Sequence, residues 1–174
     1  YEEAASQGLV AGINAALAVR GEGTFKLQRS ESYIGVLIDD LVNKSTEEPY
    51  RIFTSLAEYR LLLRIDTVYQ RLSKYGKDIG LINDYTWKII QRKQELFDSL
   101  TQRVTTEKIP SQQINGYLST LGEDVVSEST SIHSITKRPT VQLGEVLRYT
   151  SGGVSSILEE HNDVIHSVET TIKY

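Results

Sequence analysis

Residues 84–104 read DYTWKIIQRKQELFDSLTQRV, and this stretch decides the fold class of the chain. Apolar side chains recur there at helical spacing, while the basic side chains fall largely on other faces. The apolar stripe consists of Trp87, Ile90, Phe97, Leu100 and Val104. The pattern predicts an amphipathic helix that packs on a protein core, with Asn83 or Asp84 as its N-cap.

A further helix is predicted at the start of the sequence, in YEEAASQGLVAGINAALAV, residues 1–19. Glu2 and Glu3 complement the positive end of this helix. A strip with almost no side chain runs along it, formed by Ala4, Gly8, Gly12 and Ala16. Because glycine inside a helix costs about 1 kcal/mol relative to alanine, the strip implies that a sheet or a cofactor packs very closely against it. Tight packing alone is the favoured interpretation over direct ligand contact.

The next helix is predicted in SESYIGVLIDDLVNK, with Ser30 as its cap. Asp39 and Asp40 are neighbours within it and could suggest a metal site or an acid–base pair. Adjacent residues diverge by about 100° around a helix, so the two carboxylates do not converge on one ion. Pairing with nearby arginines is the favoured interpretation.

Shorter helices are predicted after Pro110, near residues 112–121 and 129–136. Another is predicted to restart with Thr140 as N-cap and to end at Gly152, and a last helix covers residues 155–172. Short helices joined by turns are typical of a small bundle or array.

Composition limits the function classes. The 174 residues contain no cysteine, which excludes disulfides and thiolate metal sites and favours a cytoplasmic or organellar protein. No apolar run reaches the roughly 18 residues that a membrane span needs. The common phosphate-binding and hydrolase motifs are absent. His161 and His166 are five residues apart, which is not the spacing of a helical zinc pair.

One segment stands out by its arginines. We call residues 48–72, EPYRIFTSLAEYRLLLRIDTVYQRL, the arginine segment. Residues 51–108 carry 11 basic against 7 acidic side chains, whereas each flank carries 4 against 8. Such a basic middle fits either a polyanion-binding surface or internal ion pairs. Residues 50–64 could be strand, helix, or a strand that turns into a helix, and the last is favoured.

Three motifs resemble one known family. YEEAASQGLVAGINAAL, SYIGVLIDDLV and EPYRIFTSLAEYRLLLR look like landmarks of the GidA/MnmG family (MTO in mitochondria), in the same order and at the expected spacing. The resemblance implies a mainly α fold: residues 1–72 end a Rossmann-type FAD-binding domain with one helix and a mixed helix and strand segment. Residues 73–174 would then form a carboxy-terminal helical domain that binds tRNA and a partner. The chain would be a carboxy-terminal piece of a longer protein.

The same resemblance implies a function. Family members use FAD and NADH and, with a GTPase partner of the MnmE/TrmE type, add an aminomethyl-type group, such as carboxymethylaminomethyl, to C5 of the wobble uridine of tRNA. A homodimer is expected, in the cytoplasm, or in mitochondria if the source is eukaryotic. The piece alone would be inactive, with no catalytic residue and no metal ligand of its own.

Site residues follow from these motifs. The backbone N–H groups of Tyr1, Glu2 and Glu3 would open the helix that faces the flavin pyrimidine edge. A tRNA contact is predicted for the arginines of the segment, namely Arg51, Arg60, Arg64 and Arg71. Basic residues of the Trp87 helix would add attraction.

An alternative also fits the residues. The chain could be a non-catalytic helical interaction module in which Arg51 or Arg60 pairs with Asp39, Asp40 or Glu58. The segment departs from the family pattern, since Leu56 stands where arginine is expected, Thr67 where asparagine is, and Tyr69 where aspartate is.

Overall fold

The computed structural model describes residues 1–45, 48–154 and 160–174, and over these residues the chain is mainly helical, which confirms the predicted class. The helices are α1 (Glu2–Val19), α2 (Tyr33–Asn43), α3 (Val68–Asp78), α4 (Asp84–Thr106), α5 (Ser111–Thr120), α6 (Ile132–Thr136), α7 (Leu143–Arg148) and α8 (Asn162–Lys173). Two 3-10 turns cover Thr54–Leu56 and Ile65–Thr67. Two short strands, β1 (Lys108–Ile109) and β2 (Thr130–Ser131), pair antiparallel.

The chain divides into two compact units, residues 1–87 and 88–174. In the first unit α1 packs on α2, and a small buried cluster holds the arginine segment to α2. That cluster consists of Val36, Ala57 and Leu63, with Tyr33, Ile52 and Leu56 packed against it. The predicted division between residues 72 and 73 stays a prediction.

Helix α2 begins two residues later than its sequence suggests. Ser32, not Ser30, is the N-cap, and its hydroxyl accepts the N–H of Gly35 at 2.8 Å. The helix lies so close to the preceding chain that a Cβ at Gly35 would stand 2.1 Å from the carbonyl oxygen of Gln28. Only glycine permits this approach, which brings Arg29 beside the acidic face of α2.

The second unit has the larger core. The apolar stripe of α4 enters this core through Leu100 and Val104, as the sequence predicts. The other buried members come from β1 and helices α5 to α8 and the turns between them: Ile109, Ile114, Leu118, Ile132, Ile135, Val141, Leu143, Val146, Leu147, Ile165 and Val168.

Two asparagines clamp the chain in the same way, one in each unit. The carboxamide of Asn14 donates to the carbonyl of Phe25 at 3.0 Å and accepts its N–H at 2.7 Å. Asn115 does the same to Val126, with both distances 2.9 Å. In each case the helix ends at a glycine with positive φ, Gly21 or Gly122, seven residues after the asparagine. The chain then turns back so that the residue eleven positions on meets the carboxamide.

The expectation of a strand turning into a helix over residues 50–64 is wrong. The backbone there is irregular, with one 3-10 turn at Thr54–Leu56, so Thr54 and Ser55 lie inside the turn and cap no helix. Helix α3, by contrast, is regular and includes Gly76 in its last turn. The side chain of Ile82 returns onto Gly76, where a Cβ would meet it at 2.8 Å, so the glycine makes room for the turn after the helix.

Of the smaller expectations, the cap of α4 is confirmed and the cap of α7 is corrected. Asn83 caps α4, since its side chain accepts the N–H of Thr86 at 2.8 Å. Gln142 rather than Thr140 precedes α7, because Thr140 instead bonds the carboxylate of Glu123. The last helix is seen over Asn162–Lys173, and the predicted start at residues 155–159 lies outside the described residues.

Candidate nucleic-acid interface

Arg29 is the centre of an ion-pair cluster, which confirms the predicted pairing of Asp39 and Asp40 with a nearby arginine, although the sequence did not indicate which arginine. Its guanidinium donates to Asp40 at 2.6 Å, to Asp39 at 3.0 Å and to Glu58 at 2.8 Å. It also donates to the carbonyl of Leu56 at 3.3 Å. One cation therefore joins helix α2 to the middle of the arginine segment and neutralises the carboxylates that Arg51 or Arg60 were expected to meet.

Asp40 is the buried member of this cluster, with 1% of its side chain exposed. Burial alone raises the pKa of this carboxyl, but hydrogen bonds from Lys44, Tyr50 and Arg29 outweigh burial and lower the pKa to about 2. Burial and the same carboxylate raise the pKa of Tyr50 to about 12. Asp40 is thus a structural anion held between two cations and a phenol.

Arg71 is a structural residue as well. Its guanidinium donates to the carbonyls of Glu31 and Arg64, the latter at 2.8 Å. Burial lowers the pKa of Arg71. A guanidinium whose donors are taken by backbone carbonyls ties α3 to the segment before it and leaves little capacity for an external anion.

Arg64 is paired within the segment. Its Nε and Nη2 donate to the two carboxylate oxygens of Asp66, each at 3.0 Å, and 20% of its side chain is exposed. Its carbonyl accepts from Thr67, whose hydroxyl also bonds Leu62. Thr67, one of the departures from the family pattern, therefore stabilises this turn.

Arg51 and Arg60 differ from the other two arginines. Both are exposed, and neither forms an ion pair or a hydrogen bond with any residue in the ranges 1–45, 48–154 and 160–174. Arg51 lies near Glu3 and helps to lower the pKa of that carboxyl, whose larger causes are the N–H groups of Glu3 itself and of Ile52. Over the described ranges, the four predicted arginines thus fall into two whose guanidinium groups bind Asp66 or backbone carbonyls and two whose guanidinium groups have no partner.

The arginine segment also exposes large apolar side chains. Phe53 is 60% exposed and Tyr59 is 47% exposed, although the backbone between them is anchored through Leu56 and Ala57. The other exposed apolar residues of the segment are Leu61, Leu62, Ile65 and Val68. Aromatic rings beside unpaired arginines are the residue types that bind unpaired nucleotides.

A cleft of about 250 Å³ opens beside Tyr59. Its walls include Lys26, whose side chain is exposed, and the backbone around Ser30. The carboxylates of Asp39 and Glu58 border the cleft too, and both accept hydrogen bonds from Arg29. Two cations, Lys26 and Arg29, and two carboxylates therefore line the cleft together.

The start of α1 is where the sequence predicts backbone N–H groups that bind a cofactor, and carboxylates of the chain itself lie close to these groups. No side chain of Tyr1 caps the helix, and the side chain of Glu2, which takes up its own N–H, is exposed and able to move away. Glu3 is engaged elsewhere, since its carboxylate accepts the N–H of Ile52 at 3.2 Å. The same carboxylate also accepts the N–H of Glu3, so the N–H groups of Glu2 and Glu3 both bond their own side chains in this chain.

The basic side of α4 is mostly occupied. Arg92 pairs with Glu95 at 3.3 Å, and Lys93 pairs with Asp163 at 2.5 Å. Arg103 pairs with Glu107 at 2.7 Å and also donates to Thr150 and to the carbonyl of Gly153. These three cations of α4 are therefore less available to attract an external anion than the sequence predicts.

Neither a metal cluster nor a membrane span is found in the described part of the chain. No three carboxylate or histidine side chains there converge as metal ligands. None of the helices described is both long and apolar enough to cross a bilayer.

Sequence reasoning missed Arg29 because nothing near it in sequence marks it. Arg29 lies in a loop, and its partner Glu58 is 29 positions away. The usable signal was indirect: two adjacent carboxylates on α2, one of them on the buried face, require a cation from another element.

The helical unit matches a known family. The model of the MnmG/GidA C-terminal helical domain of tRNA-modifying enzymes matches residues 84–174. The tRNA uridine 5-carboxymethylaminomethyl modification enzyme MnmG of Lactococcus lactis subsp. lactis is 45% identical over 100% of this chain and 28% of that protein. The protein of the same name from Streptococcus pyogenes serotype M1 is 41% identical and is covered over 27% of its length.

Solved structures agree with this match. GidA of Aquifex aeolicus in its form II crystal aligns with 100% of this chain and 26% of that chain, with a TM-score of 0.81 and 36% identity. The form I crystal gives a TM-score of 0.79. The chain spans about 28% of the length of the first curated relatives it matches.

Proposed function

Because the chain belongs to the MnmG/GidA family, we propose that it acts as part of a flavin-dependent enzyme that modifies tRNA. The reaction proposed is the addition of a (carboxymethyl)aminomethyl group to C5 of the wobble uridine, together with a GTPase partner. The proposed site of action is the cytoplasm. The observation that carries the proposal is that Arg51 and Arg60 are exposed and have no partner among the residues that the structure describes, in a segment whose backbone Arg29 fixes.

The role of this chain in that enzyme is to hold tRNA. Arg51 and Arg60 bind phosphates, because a guanidinium presents a planar fork of donors and carries a permanent charge. Arg64 and Arg71 support them by fixing the backbone, since their own donors bind Asp66 and backbone carbonyls. This narrows the predicted set of tRNA contacts from four arginines to two.

The first residues serve the cofactor. The N–H groups of Tyr1, Glu2 and Glu3 would hold FAD, with the positive end of α1 favouring an electron-rich edge. The bound flavin, reduced by NADH, would supply redox chemistry. Residues 1–72 thus complete the cofactor-binding part, while residues 73–174 serve tRNA and the partner, in a protein expected to form a homodimer.

Binding of tRNA at several salt concentrations tests the proposal. The double variant Arg51→Gln with Arg60→Gln in the intact protein should bind tRNA more weakly and lower the slope of log affinity against log salt by about 1 to 2. Filter binding or fluorescence anisotropy measures both quantities. Modification of the wobble uridine in the same variants should fall in parallel.

A matched control removes the same charge elsewhere. Arg20 and Arg148 are both exposed, with side chains 59% and 69% accessible and only distant acidic partners at 3.9 and 3.5 Å. Replacing both with glutamine should leave the salt slope nearly unchanged. Equal slopes for the two double variants, or no salt-sensitive binding by the unaltered protein, would contradict the proposal.

A further inference from the structure

We propose that Phe53 and Tyr59 form a stacking platform for unpaired tRNA bases, flanked by Arg51 and Arg60. This inference rests on the proposed function and assigns the base contacts within it. The phosphate contacts alone would fix the position of an RNA but would not distinguish an unpaired loop from a duplex. An aromatic ring makes that distinction, because only an unstacked base can lie on it.

The first support is that the two rings are exposed although the backbone between them is held in place. Phe53 and Tyr59 are 60% and 47% exposed, whereas Leu56 and Ala57 between them pack on Val36 of helix α2. The segment is also tied at Leu56 and Glu58 by Arg29. Two large rings on a backbone held in this way lose little conformational freedom on binding, which favours a role as rigid contacts.

The second support is charge. Arg51 precedes Phe53 by two positions and Arg60 follows Tyr59 directly, and both cations are unpaired among the residues described. The carboxylates beside Tyr59, those of Asp39 and Glu58, both bind Arg29. A polyanion with exposed bases matches this combination, because its phosphates can bind the two guanidinium groups while its bases lie on the rings.

The third support is that there is room for a base beside Tyr59. The cleft of about 250 Å³ beside Tyr59 is open to solvent and carries the exposed Lys26 on its rim. A base stacked on the Tyr59 ring could extend over this cleft, with its phosphate toward Lys26 or Arg60. Tyr59 also retains its hydroxyl as a hydrogen-bond donor or acceptor to a base edge.

The test compares two RNA probes of equal charge in the intact protein. One probe is an anticodon stem-loop, whose loop bases are unpaired, and the other is a fully paired RNA duplex with the same number of phosphates. Phe53→Leu and Tyr59→Leu should each weaken stem-loop binding by about five-fold or more, because base stacking on an aromatic ring is lost. Tyr59→Phe should retain most of the affinity. Binding of the duplex and the salt slope should not change.

Matched variants separate the possible outcomes. Tyr85→Leu removes an exposed tyrosine on α4, 76% accessible, and should not affect either probe. If Arg51→Gln weakens binding but Phe53→Leu and Tyr59→Leu do not, the platform is wrong and the phosphate contacts stand. Equal losses for both probes, or a change of oligomeric state in the leucine variants, would likewise overturn the platform, since the rings would then serve protein packing. If no variant affects binding, both proposals fail.

Discussion

Arg29 shows how one side chain determines what its neighbours can do. It satisfies three carboxylates and one carbonyl, and only 21% of it is exposed. The acidic residues that could have neutralised the exposed arginines are therefore already paired. The availability of Arg51 and Arg60 for an anion is a consequence of where Arg29 lies.

Replacing this cation should destabilise the first unit. Arg29→Gln leaves Asp40 buried with only Lys44 and Tyr50 as partners, and we expect a loss of about 2 to 4 kcal/mol in the free energy of unfolding. Urea denaturation followed by circular dichroism measures it. Arg20→Gln removes an exposed cation of the same kind and should change stability by less than about 0.5 kcal/mol. Similar midpoints for the two variants would contradict the assigned role of Arg29.

Because of Asp40, the contribution of the Arg29 cluster to the free energy of unfolding should depend on pH. Its folded pKa of about 2 lies below the ordinary value of 3.8, so its contribution is present above about pH 4 and is lost as the pH falls toward 2. The contribution is about 2 kcal/mol. The difference in unfolding free energy between the unaltered protein and Asp40→Asn should therefore shrink between pH 5 and pH 2. A difference that stays constant over this range would disprove the lowered pKa.

The site was only partly predictable at this scale. The four arginines were identified from local density, but which of them remain free depends on Arg29 and on backbone carbonyls at Glu31 and Arg64. Such partners lie up to 40 positions away in sequence. No local pattern carries that information, because pairing is decided by the tertiary arrangement.

At the scale of elements, the sequence predicted helix boundaries well where a regular pattern of side chains repeats over many residues. Helices α1 and α4 were predicted nearly to their ends, since each has a regular stripe or strip over many residues. Residues 50–64 failed because side chains from other elements fix their backbone: Glu3 accepts the N–H of Ile52, and Arg29 binds the carbonyl of Leu56. Local propensity cannot anticipate bonds of this kind.

Asn14 and Asn115 each stabilise the chain reversal that follows their helix, through the same pair of hydrogen bonds. A carboxamide can donate to a carbonyl and accept an N–H at once, whereas a carboxylate can only accept. Asn115→Asp should therefore leave the carbonyl of Val126 unpaired and destabilise the second unit by about 1 to 3 kcal/mol, and Asn14→Asp should do the same in the first. Thermal denaturation measures both effects.

A control on the same helix isolates the clamp. Gln113→Glu makes the same change from amide to acid on the exposed first turn of α5, where a negative charge is favourable. It should be neutral or slightly stabilising. If Asn115→Asp were equally mild, the two hydrogen bonds to Val126 would contribute nothing beyond solvent contact.

At the scale of the whole molecule, the net charge of −4 says little about function. Of the 11 basic residues of the middle region, five form ion pairs with described residues, namely Arg64, Lys77, Arg92, Lys93 and Arg103. Among the residues described, the exposed cations of this region without an ion pair are Arg51, Arg60, Lys74, Lys88 and Lys108. Arg51 and Arg60 differ from the three lysines because large exposed aromatic side chains lie in the same segment.

The last prediction concerns the small-residue strip of α1. Its sequence predicts that a sheet or a cofactor packs very closely against it. Among the described residues nothing lies within 4 Å of a Cβ built at Gly8 or Gly12. In the 174-residue chain by itself, Gly8→Ala and Gly12→Ala should each stabilise α1 by up to about 1 kcal/mol. In a protein of the relatives' length, a close neighbour on the strip would make the same two substitutions destabilising.

The control is Gly116→Ala, in an exposed position of α5 with nothing within 4 Å, which should stabilise both forms. Thermal denaturation of the two forms decides the matter: if Gly8→Ala stabilises both as Gly116→Ala does, the strip packs against nothing.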